Sequence, residues 1–424
     1  MYKLKIQLKQ HTPIIHFQHK QIGATLRATE VKPKLDRFIL EKLGGGNYKE
    51  GIKKAGENKG WLIEKGKGAL DYKIKFRQHQ LKNAFINQII KGERGIPFFF
   101  GNMGDDYDGK EKAFIFNPND IECQILTFKK DLNEKLIRVI REFFLLNNFG
   151  TRQSKGFGSF TVEEIEGEEP DENNLKTKPS ELYFDVEVKN LNLNAFKNAF
   201  RDTNIFYNAL RAGINHTIYV KSFLFLYFIK DNINWEKRKI KIEFFSKKLK
   251  HQQKKWDDIP TSALHSKIND FKLIRDLLGL STSDEWVGYS KKRIEKVQAE
   301  YKRGEWVEVE KEKRNIDRFK SPITFKPVLI NDNNKKKLRF YIILNQKSID
   351  YLLSKHKDFL IKNGNQKFDI SMPNNFSLTN FFDFVKTIEL EDIVEDKFQN
   401  SNEFIVLDNI LNQLNQCQTK HTPH

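Results

Sequence analysis

The chain has 424 residues and carries 74 lysines and arginines against 56 aspartates and glutamates, a formal net charge of +18. Its hydrophobic content of 38%, which includes 36 phenylalanines, is sufficient for a sizeable core and excludes a disordered basic tail. No apolar run approaches the roughly 20 residues that span a bilayer, and the N-terminus alternates polar and apolar residues, unlike a signal peptide. Length and composition therefore predict a soluble, cytoplasmic protein of two or three domains with no membrane partner.

The positive charge is unevenly distributed along the chain. Residues 391–424 hold six acids and two bases, so residues 1–390 carry +22. Segment 230–256 alone contains ten lysines and arginines, interspersed with tryptophans and phenylalanines. Basic residues among aromatics suit single-stranded nucleic acid, which offers both phosphates and stackable bases. An amphipathic helix or strand pair with core aromatics and solvated lysines also explains this segment.

Hydrophobic periodicity predicts a β-α-β-β-α-β order over residues 1–165. The predicted elements are a strand at 2–9, a helix at 30–43, strands at 71–77, 112–117 and 121–128, a helix at 131–146 and a strand at 157–162. The glycine- and lysine-rich passage 44–69 is predicted to be a loop. This order is the split β-α-β plan of the ferredoxin-like fold.

The rest of the chain predicts a second domain of mixed structure. Residues 163–174 carry seven acids and no base, which predicts an acidic linker at 166–180. The second domain is predicted over 181–390, with strands at 182–188, 217–229, 321–330 and 337–345 and helices at 193–211, 236–255, 348–361 and 378–389. A charged helical insertion is predicted at 282–316, and an acidic C-terminal tail at 391–424. The predicted fold class is α+β, with tandem ferredoxin-like domains.

The strongest functional signal is the glycine-rich segment 149–160, Phe-Gly-Thr-Arg-Gln-Ser-Lys-Gly-Phe-Gly-Ser-Phe. Its glycines allow tight turns and a close approach of the backbone to a ligand. Its basic residues supply charge for phosphate oxygens, and Phe157 offers a ring on which a base can stack. The candidate binding residues here are Gly150, Arg152, Lys155, Gly156, Phe157 and Gly158. A tight helix-to-strand connection with incidental basic residues is the alternative interpretation.

A second basic segment surrounds the start of the first predicted helix. Its candidate binding residues are Arg27, Lys32, Lys34 and Arg37, placed where a helix N-terminus itself favours anions. The nearby histidines, His11, His16 and His19, are candidate general bases, since imidazole titrates near neutrality. Structural or RNA-contacting histidines are the alternative.

Other motif matches are incomplete. Residues 155–158 satisfy the first four positions of the RNP1 element of RNA-recognition motifs, which Ser159 then breaks. Residues 104–111 nearly form a P-loop, but Glu111 replaces the Mg²⁺-binding hydroxyl and three aspartates would repel phosphate. The two cysteines, Cys123 and Cys417, lie too far apart for a local zinc motif. We therefore predict no metal and no cofactor.

These segments resemble the RAMP superfamily of CRISPR-associated proteins. Gly150 to Gly158 is similar to the superfamily's glycine-rich loop between the last helix and last strand, and Thr12-Pro13 resembles its "TP" after the first strand. Residues 26–35 are similar to a motif of the large capping subunit of Cmr-type (type III-B) complexes. Arg318 to Lys326 resembles an "R-x-x-SP-I" strand of the same proteins.

The resemblance implies tandem RAMP domains, related to RNA-recognition folds, in a subunit that binds RNA without catalysis. The implied partners are guide RNA, single-stranded target RNA and neighbouring RAMP subunits, in antiviral defence. Some relatives are instead metal-independent endoribonucleases that process guide RNA, for which His16 or His19 with Lys32 or Lys155 are candidates. Others cleave target RNA with a loop aspartate and a metal, for which the candidates are Asp105, Asp106 and Asp108.

Overall fold

The computed structural model of the chain describes residues 1–15, 26–78, 85–89, 112–168, 178–215, 218–252, 268–286, 292–310, 318–332 and 335–417. They form two compact units. The first contains Met1–Arg201, Thr324–Ile343 and Cys417, and the second contains Asp202–Ile323 and Leu344–Gln416. The units do not coincide with the predicted domains 1–165 and 181–390, since residues 324–343 belong to the first unit.

Both helices and strands occur along the described chain. The helices are α1 (Ala28–Leu43), α2 (Tyr48–Lys53), α3 (Lys130–Leu146), α4 (Leu193–Arg211), α5 (Phe223–Ile229), α6 (Glu236–Gln252), α7 (Gln346–Lys355), α8 (Leu378–Lys386) and α9 (Asn402–Asn415). The strands are β1 (Tyr2–Gln10), β2 (Lys73–Gln78), β3 (Phe85–Ile89), β4 (Lys112–Phe116), β5 (Ile121–Thr127), β6 (Phe160–Ile165), β7 (Tyr183–Glu187), β8 (Ile214–Asn215), β9 (Tyr219–Val220), β10 (Asn234–Trp235), β11 (Phe271–Lys272), β12 (Leu280–Ser281), β13 (Ser283–Trp286), β14 (Lys292–Lys302), β15 (Glu305–Glu308), β16 (Arg318–Phe319), β17 (Ile323–Asp332), β18 (Lys335–Leu344), β19 (Asp358–Asn363) and β20 (Gln366–Ser371). No helix among these residues is long and apolar enough to cross a membrane.

The first unit is built on a four-stranded sheet in the order β2–β5–β1–β6, with every pair antiparallel. Strand β5 therefore lies between β1 and β2, which is the strand order of a split β-α-β plan. The alternation of β1 buries Leu4, Ile6 and Leu8 in one core with the apolar faces of α1 and α3. There the rings of Phe38 and Phe143 meet edge to face at 5.6 Å. Strands β17, β18 and β7 form a separate three-stranded sheet.

The passage 44–69 is not the predicted loop throughout. The Asn47 carboxamide accepts hydrogen bonds from the N–H groups of Lys49 and Glu50 and so caps α2. A Cβ on Gly51 would lie 1.9 Å from the Leu40 carbonyl oxygen, so this glycine allows α2 to approach α1. Glycine at this position reflects close helix packing and not a loop.

The predicted helical insertion at 282–316 is wrong for the residues described there. They form β13, β14 and β15 at one edge of a seven-stranded sheet in the second unit, ordered β10–β11–β20–β19–β14–β13 with β15 on β14. Strand β14 is rich in helix-forming Lys, Glu and Gln, but its buried Ile294 and Lys296 pack within the unit. Arg303 and Gly304 both have positive φ, which suits a tight hairpin turn. Gly304 was the turn signal that the sequence analysis missed.

Two further predictions are corrected in the second unit. The apolar run predicted as a strand at 217–229 is mainly helix α5, whose N-cap Ser222 accepts a hydrogen bond from Phe225 N–H. Periodicity alone does not separate a short buried helix from a buried strand. The acidic tail predicted at 391–424 contains helix α9, which buries Leu407, Ile410 and Leu411.

Candidate nucleic-acid interface

The glycine-rich loop connects α3 to β6 and is bound to the segment that follows β1. The N–H of Gly158 donates to the Pro13 carbonyl over 2.8 Å, and the N–H of Thr151 donates to the Ile15 carbonyl over 2.7 Å. The N–H of Phe149 donates to the Gly158 carbonyl over 2.9 Å and closes the loop at its base. The glycine-rich loop and the segment that contains Thr12-Pro13 thus lie side by side.

The side chain of Thr12 binds the backbone of the loop. Its buried hydroxyl donates to the Gly156 carbonyl over 2.6 Å and accepts a hydrogen bond from the Ser159 N–H over 3.0 Å. One hydroxyl therefore satisfies two backbone groups of the loop, which an apolar side chain of the same size would leave unpaired. This contact gives a physical reason for threonine in the Thr12-Pro13 pair.

The loop glycines are required by the protein's own backbone. Gly150 and Gly158 have φ of 81° and 65°, a conformation that other residues rarely adopt. A Cβ on Gly158 would lie 2.0 Å from the Phe149 carbonyl oxygen, and one on Gly150 would lie 2.6 Å from the Ile15 carbonyl oxygen. Gly156 packs against Pro327 and Phe340. Contact of these glycines with a ligand stays a prediction.

Phe157 does not offer its ring to a base. The side chain is buried and stacks on Phe200, with ring centroids 3.9 Å apart and an interplanar angle of 8°. The expectation that Phe157 stacks on RNA is therefore corrected. The ring anchors the loop in the core of the first unit.

Lys34, a basic residue of the α1 segment, is brought to the loop. Its ammonium donates to the Gln153 side chain over 2.7 Å and to the Asn148 carbonyl over 3.0 Å. The N–H of Gly150 donates to the carboxylate of Glu30, one turn earlier on α1. Helix α1 thus contributes one cation and one anion that fix the loop.

The other predicted cations are arranged differently. Lys32 donates to Asp36 over 2.8 Å and to the Leu70 carbonyl over 2.9 Å, away from the loop. Arg37 is exposed and pairs with Glu41 over 2.7 Å, while Arg27 immediately precedes α1 in an extended conformation. The facing wall of Arg27, Lys32 and Lys34 stays a prediction.

The two loop cations also differ from each other. Arg152 is half-buried and has φ of 56°, a strained left-handed conformation for a residue with a side chain. Lys155 ends a 3₁₀ turn that begins at Gln153, and its Nζ atom is buried. Arg152 is consequently the better placed of the two for an external phosphate.

His11 is a structural histidine. It is buried, its Nδ1 accepts a hydrogen bond from the Leu329 N–H over 3.0 Å, and its Nε2 lies 2.7 Å from the Thr161 hydroxyl. Burial, reinforced by Lys326 and Lys9, lowers the pKa of His11 well below its ordinary value. His16, His19, Asp105, Asp106 and Asp108 lie outside the described residues.

Sequence reasoning missed the support that β17 gives to the loop. The buried ammonium of Lys326 donates to the carbonyls of Phe144, Asn147 and Phe160, which flank the loop on both sides. Burial lowers the pKa of Lys326 well below its ordinary value. The signal lay in the Arg318 to Lys326 segment, but the sequence does not show that it lies beside a loop so far away in the chain.

No group of three or more His, Cys, Asp or Glu side chains that could hold a metal ion occurs in the described part of the chain. The chemistry assembled around the loop consists of two loop cations on a fixed backbone, whose N–H groups at Phe149, Gly150, Thr151 and Gly158 donate within the protein. Such an arrangement is suited to binding an anion.

Two family models match the chain: the Cmr1 N-terminal domain over residues 1–214 and the Cmr1 C-terminal domain over residues 219–415. Among solved structures, the crystal structure of Cmr1 from Pyrococcus furiosus in its apo form is similar at 11% identity and a TM-score of 0.35, covering 81% of this chain and 88% of that one. A chain of the cryo-EM structure of the Type III-B Cmr-beta bound to cognate target RNA is similar at 11% identity and a TM-score of 0.26, covering 39% of this chain and 59% of that chain. No curated protein matches.

Proposed function

The chain belongs to the Cmr1 family of Cmr-type (type III-B) RAMP proteins, and on that premise we propose that it is a non-catalytic RNA-binding subunit of a CRISPR ribonucleoprotein. Its proposed ligands are guide RNA and single-stranded target RNA, and its proposed protein partners are other RAMP subunits. Recognition of single-stranded RNA by charge and stacking fits a strongly basic protein. A tandem ferredoxin-like plan is part of the same proposal, supported by the strand order of the first unit.

One observation carries the proposal at residue level: the glycine-rich loop is held in a fixed shape that keeps Arg152 in a left-handed conformation. Thr12 and Lys34 fix the loop from two sides. Strain in the backbone costs about 1–3 kcal/mol and persists where the surrounding structure enforces it. The loop thus fixes the backbone of Arg152, and a guanidinium can bind phosphate oxygens through two parallel hydrogen bonds.

The test is the affinity for a fluorescently labelled single-stranded RNA, measured by anisotropy. Arg152→Ala should weaken binding about tenfold, because one bidentate phosphate contact is lost. A matched control is Lys67→Ala, which removes an exposed cation of the first unit that pairs with Glu64. Equal affinities of the two variants would contradict the assignment of Arg152.

The same samples test the ribonuclease alternatives. We expect RNA incubated with and without EDTA to remain intact while it binds. Discrete metal-independent cuts that His16→Ala or His19→Ala abolishes would overturn the non-catalytic proposal in favour of guide processing. Cuts that EDTA abolishes would favour target cleavage by a loop aspartate.

A further inference from the structure

Four cations of the second unit come together at the start of α6. They are Lys221, which follows β9, and Lys237, Arg238 and Lys241 on the first turns of the helix; we call them the α6 cation cluster. Lys221 is only 7% exposed, and the three helix residues are half-buried. Partly buried cations are costly to bring together, so such a concentration requires an explanation.

The position of the helical members adds to this cost. Positive side chains are disfavoured in the first turn of a helix, where the backbone dipole is itself positive. The acidic residue of that turn, Glu236, offsets them only in part, because it is also bound to another segment. Its carboxylate binds the guanidinium of Arg275 over 3.1 Å and accepts hydrogen bonds from the N–H groups of Ile274 and Arg275.

The titration behaviour of the cluster reflects the same crowding. Burial, with a further contribution from Arg238, lowers the pKa of Lys221 to about 7. Burial, Arg275 and Lys241 lower the pKa of Lys237 to about 8, and Glu236 opposes them only in part. Burial and Arg238 also lower the pKa of Lys241. An anion bound among these groups would relieve the repulsion.

Two aromatic rings contact each other and two of the cations. The rings of Phe225 and Trp235 lie 4.8 Å apart, with Lys221 Nζ 5.7 Å from the Phe225 ring and Lys237 Nζ 5.0 Å from the Trp235 ring. Trp235 is half-buried. Cations beside a half-buried tryptophan combine the two kinds of group that bind single-stranded nucleic acid, cations for phosphates and an aromatic ring for stacking.

We propose that the α6 cation cluster and Trp235 form a contact site for single-stranded RNA in the second unit, in which the cations bind phosphodiester groups and the indole packs against a base. The site deepens the proposed function and rests on it. It is separate in the chain from the glycine-rich loop, so each can be removed without the other.

The experiment compares two double variants of the full chain for binding to a labelled single-stranded RNA over a range of salt concentrations. Lys237→Gln with Lys241→Gln removes two members of the cluster. Lys230→Gln with Lys239→Gln removes the same charge nearby, at an exposed lysine beside Phe384 and at a lysine that donates to the Asp369 carbonyl. Thermal unfolding of each variant checks that it is folded.

We expect the cluster variant to bind at least tenfold more weakly and to lower the log–log salt slope by about 1.4, since each phosphate contact on a single strand contributes about 0.7. The control pair should retain the slope to within about half of that change. Trp235→Leu should weaken binding at all salt concentrations without changing the slope, whereas Trp235→Phe should bind nearly as wild type.

Four outcomes would overturn the inference. If the cluster and control variants lose the same affinity and slope, the cations act only through net charge. If polyglutamate displaces the RNA from wild type as well as an equal length of unlabelled RNA does, the surface fits an acidic protein partner. If Arg152→Ala weakens binding and the cluster variant does not, this inference is wrong and the proposed function stands. If the wild type binds no RNA, the proposed function is wrong as well.

Discussion

Arg152 and His11 are the two residues at the loop whose replacement distinguishes the proposed ligand contact from a structural role. Arg152 holds a conformation that glycine would adopt without cost. His11 uses both ring nitrogens within the protein. Replacing a residue that strains the backbone should raise stability, whereas replacing a residue whose polar atoms are all bonded within the protein should change how stability depends on its contacts.

Arg152→Gly should stabilise the first unit and weaken RNA binding at the same time. Relief of the left-handed conformation is worth about 1 kcal/mol, which thermal unfolding would record as a rise in midpoint. A purely structural Arg152 would give a stability change with unaltered RNA affinity. Arg152→Asn, which tolerates this conformation, is the matched variant and should also bind RNA weakly.

His11 should make the stability of the protein depend on acid. Its pKa is lowered in the folded state and is about 6.5 when unfolded, so below that pH the unfolded chain binds more protons and folding is disfavoured. The free energy of unfolding should fall by up to about 1.4 kcal/mol per pH unit below 6.5.

His11→Gln, which retains a donor and an acceptor, should remove this component. Urea unfolding at pH 7.5 and 5.5 measures the difference between wild type and variant. Equal losses in the two proteins would show that His11 does not titrate across this range.

At the scale of the elements, the loop and the first strand act as one unit through Thr12. Thr12→Val keeps the shape but leaves the Gly156 carbonyl and Ser159 N–H without this partner, which should cost about 1–3 kcal/mol. Thr12→Ser keeps the hydroxyl and should cost less. Denaturant unfolding distinguishes the two variants, and a valine variant as stable as the serine variant would contradict the role of the hydroxyl.

A buried network of charges fastens β14 in the second unit. Lys296 lies 2.6 Å from Asp276 and 3.1 Å from Asp284, and Arg275 lies 2.6 Å from Asp284 and 3.1 Å from Glu236. Burial alone would raise the pKa of Asp284, but Lys296 and Arg275 hold it below its ordinary value. The two cations therefore favour the ionised form of Asp284 despite its burial.

Lys296→Met should destabilise the second unit by about 3–5 kcal/mol, because it removes the buried cation nearest Asp276 and leaves that carboxylate with the more distant Arg211, 3.7 Å away. Lys292→Met changes an exposed lysine of the same strand and should alter stability by less than about 0.5 kcal/mol. Thermal unfolding compares the two. A small effect at Lys296 would indicate that Arg211 and Arg275 are sufficient to neutralise the two aspartates.

The elements that sequence predicted well are those whose pattern is local. Helices α1 and α3 begin within two residues of the predicted starts, because the apolar residues of each recur at helical spacing. Strand β14 was missed because its lysines and glutamates favour a helix locally, and only a distant Asp276 makes Lys296 a buried strand residue. The loop was predicted from its glycines, but its contacts with Thr12 and Lys326 depend on pairing that a sequence does not show.

At the scale of the whole molecule, charge and family membership lead to the same class of ligand. The +22 carried by residues 1–390 favours a polyanion, and the chain belongs to a family of Cmr-type RAMP proteins. Neither the charge nor the family identifies which residues contact RNA. The assignment depends on the fixed loop of the first unit and the α6 cation cluster of the second, each of which has its own variant.

The most direct test of RNA binding at the glycine-rich loop is photo-crosslinking to a single-stranded RNA that carries 4-thiouridine, with the attached peptides identified by mass spectrometry. We predict crosslinks to peptides containing residues 150–160, lost in Arg152→Gly and retained in Lys67→Ala. Crosslinks that never include these residues, in a protein that still binds the RNA, would contradict the central claim.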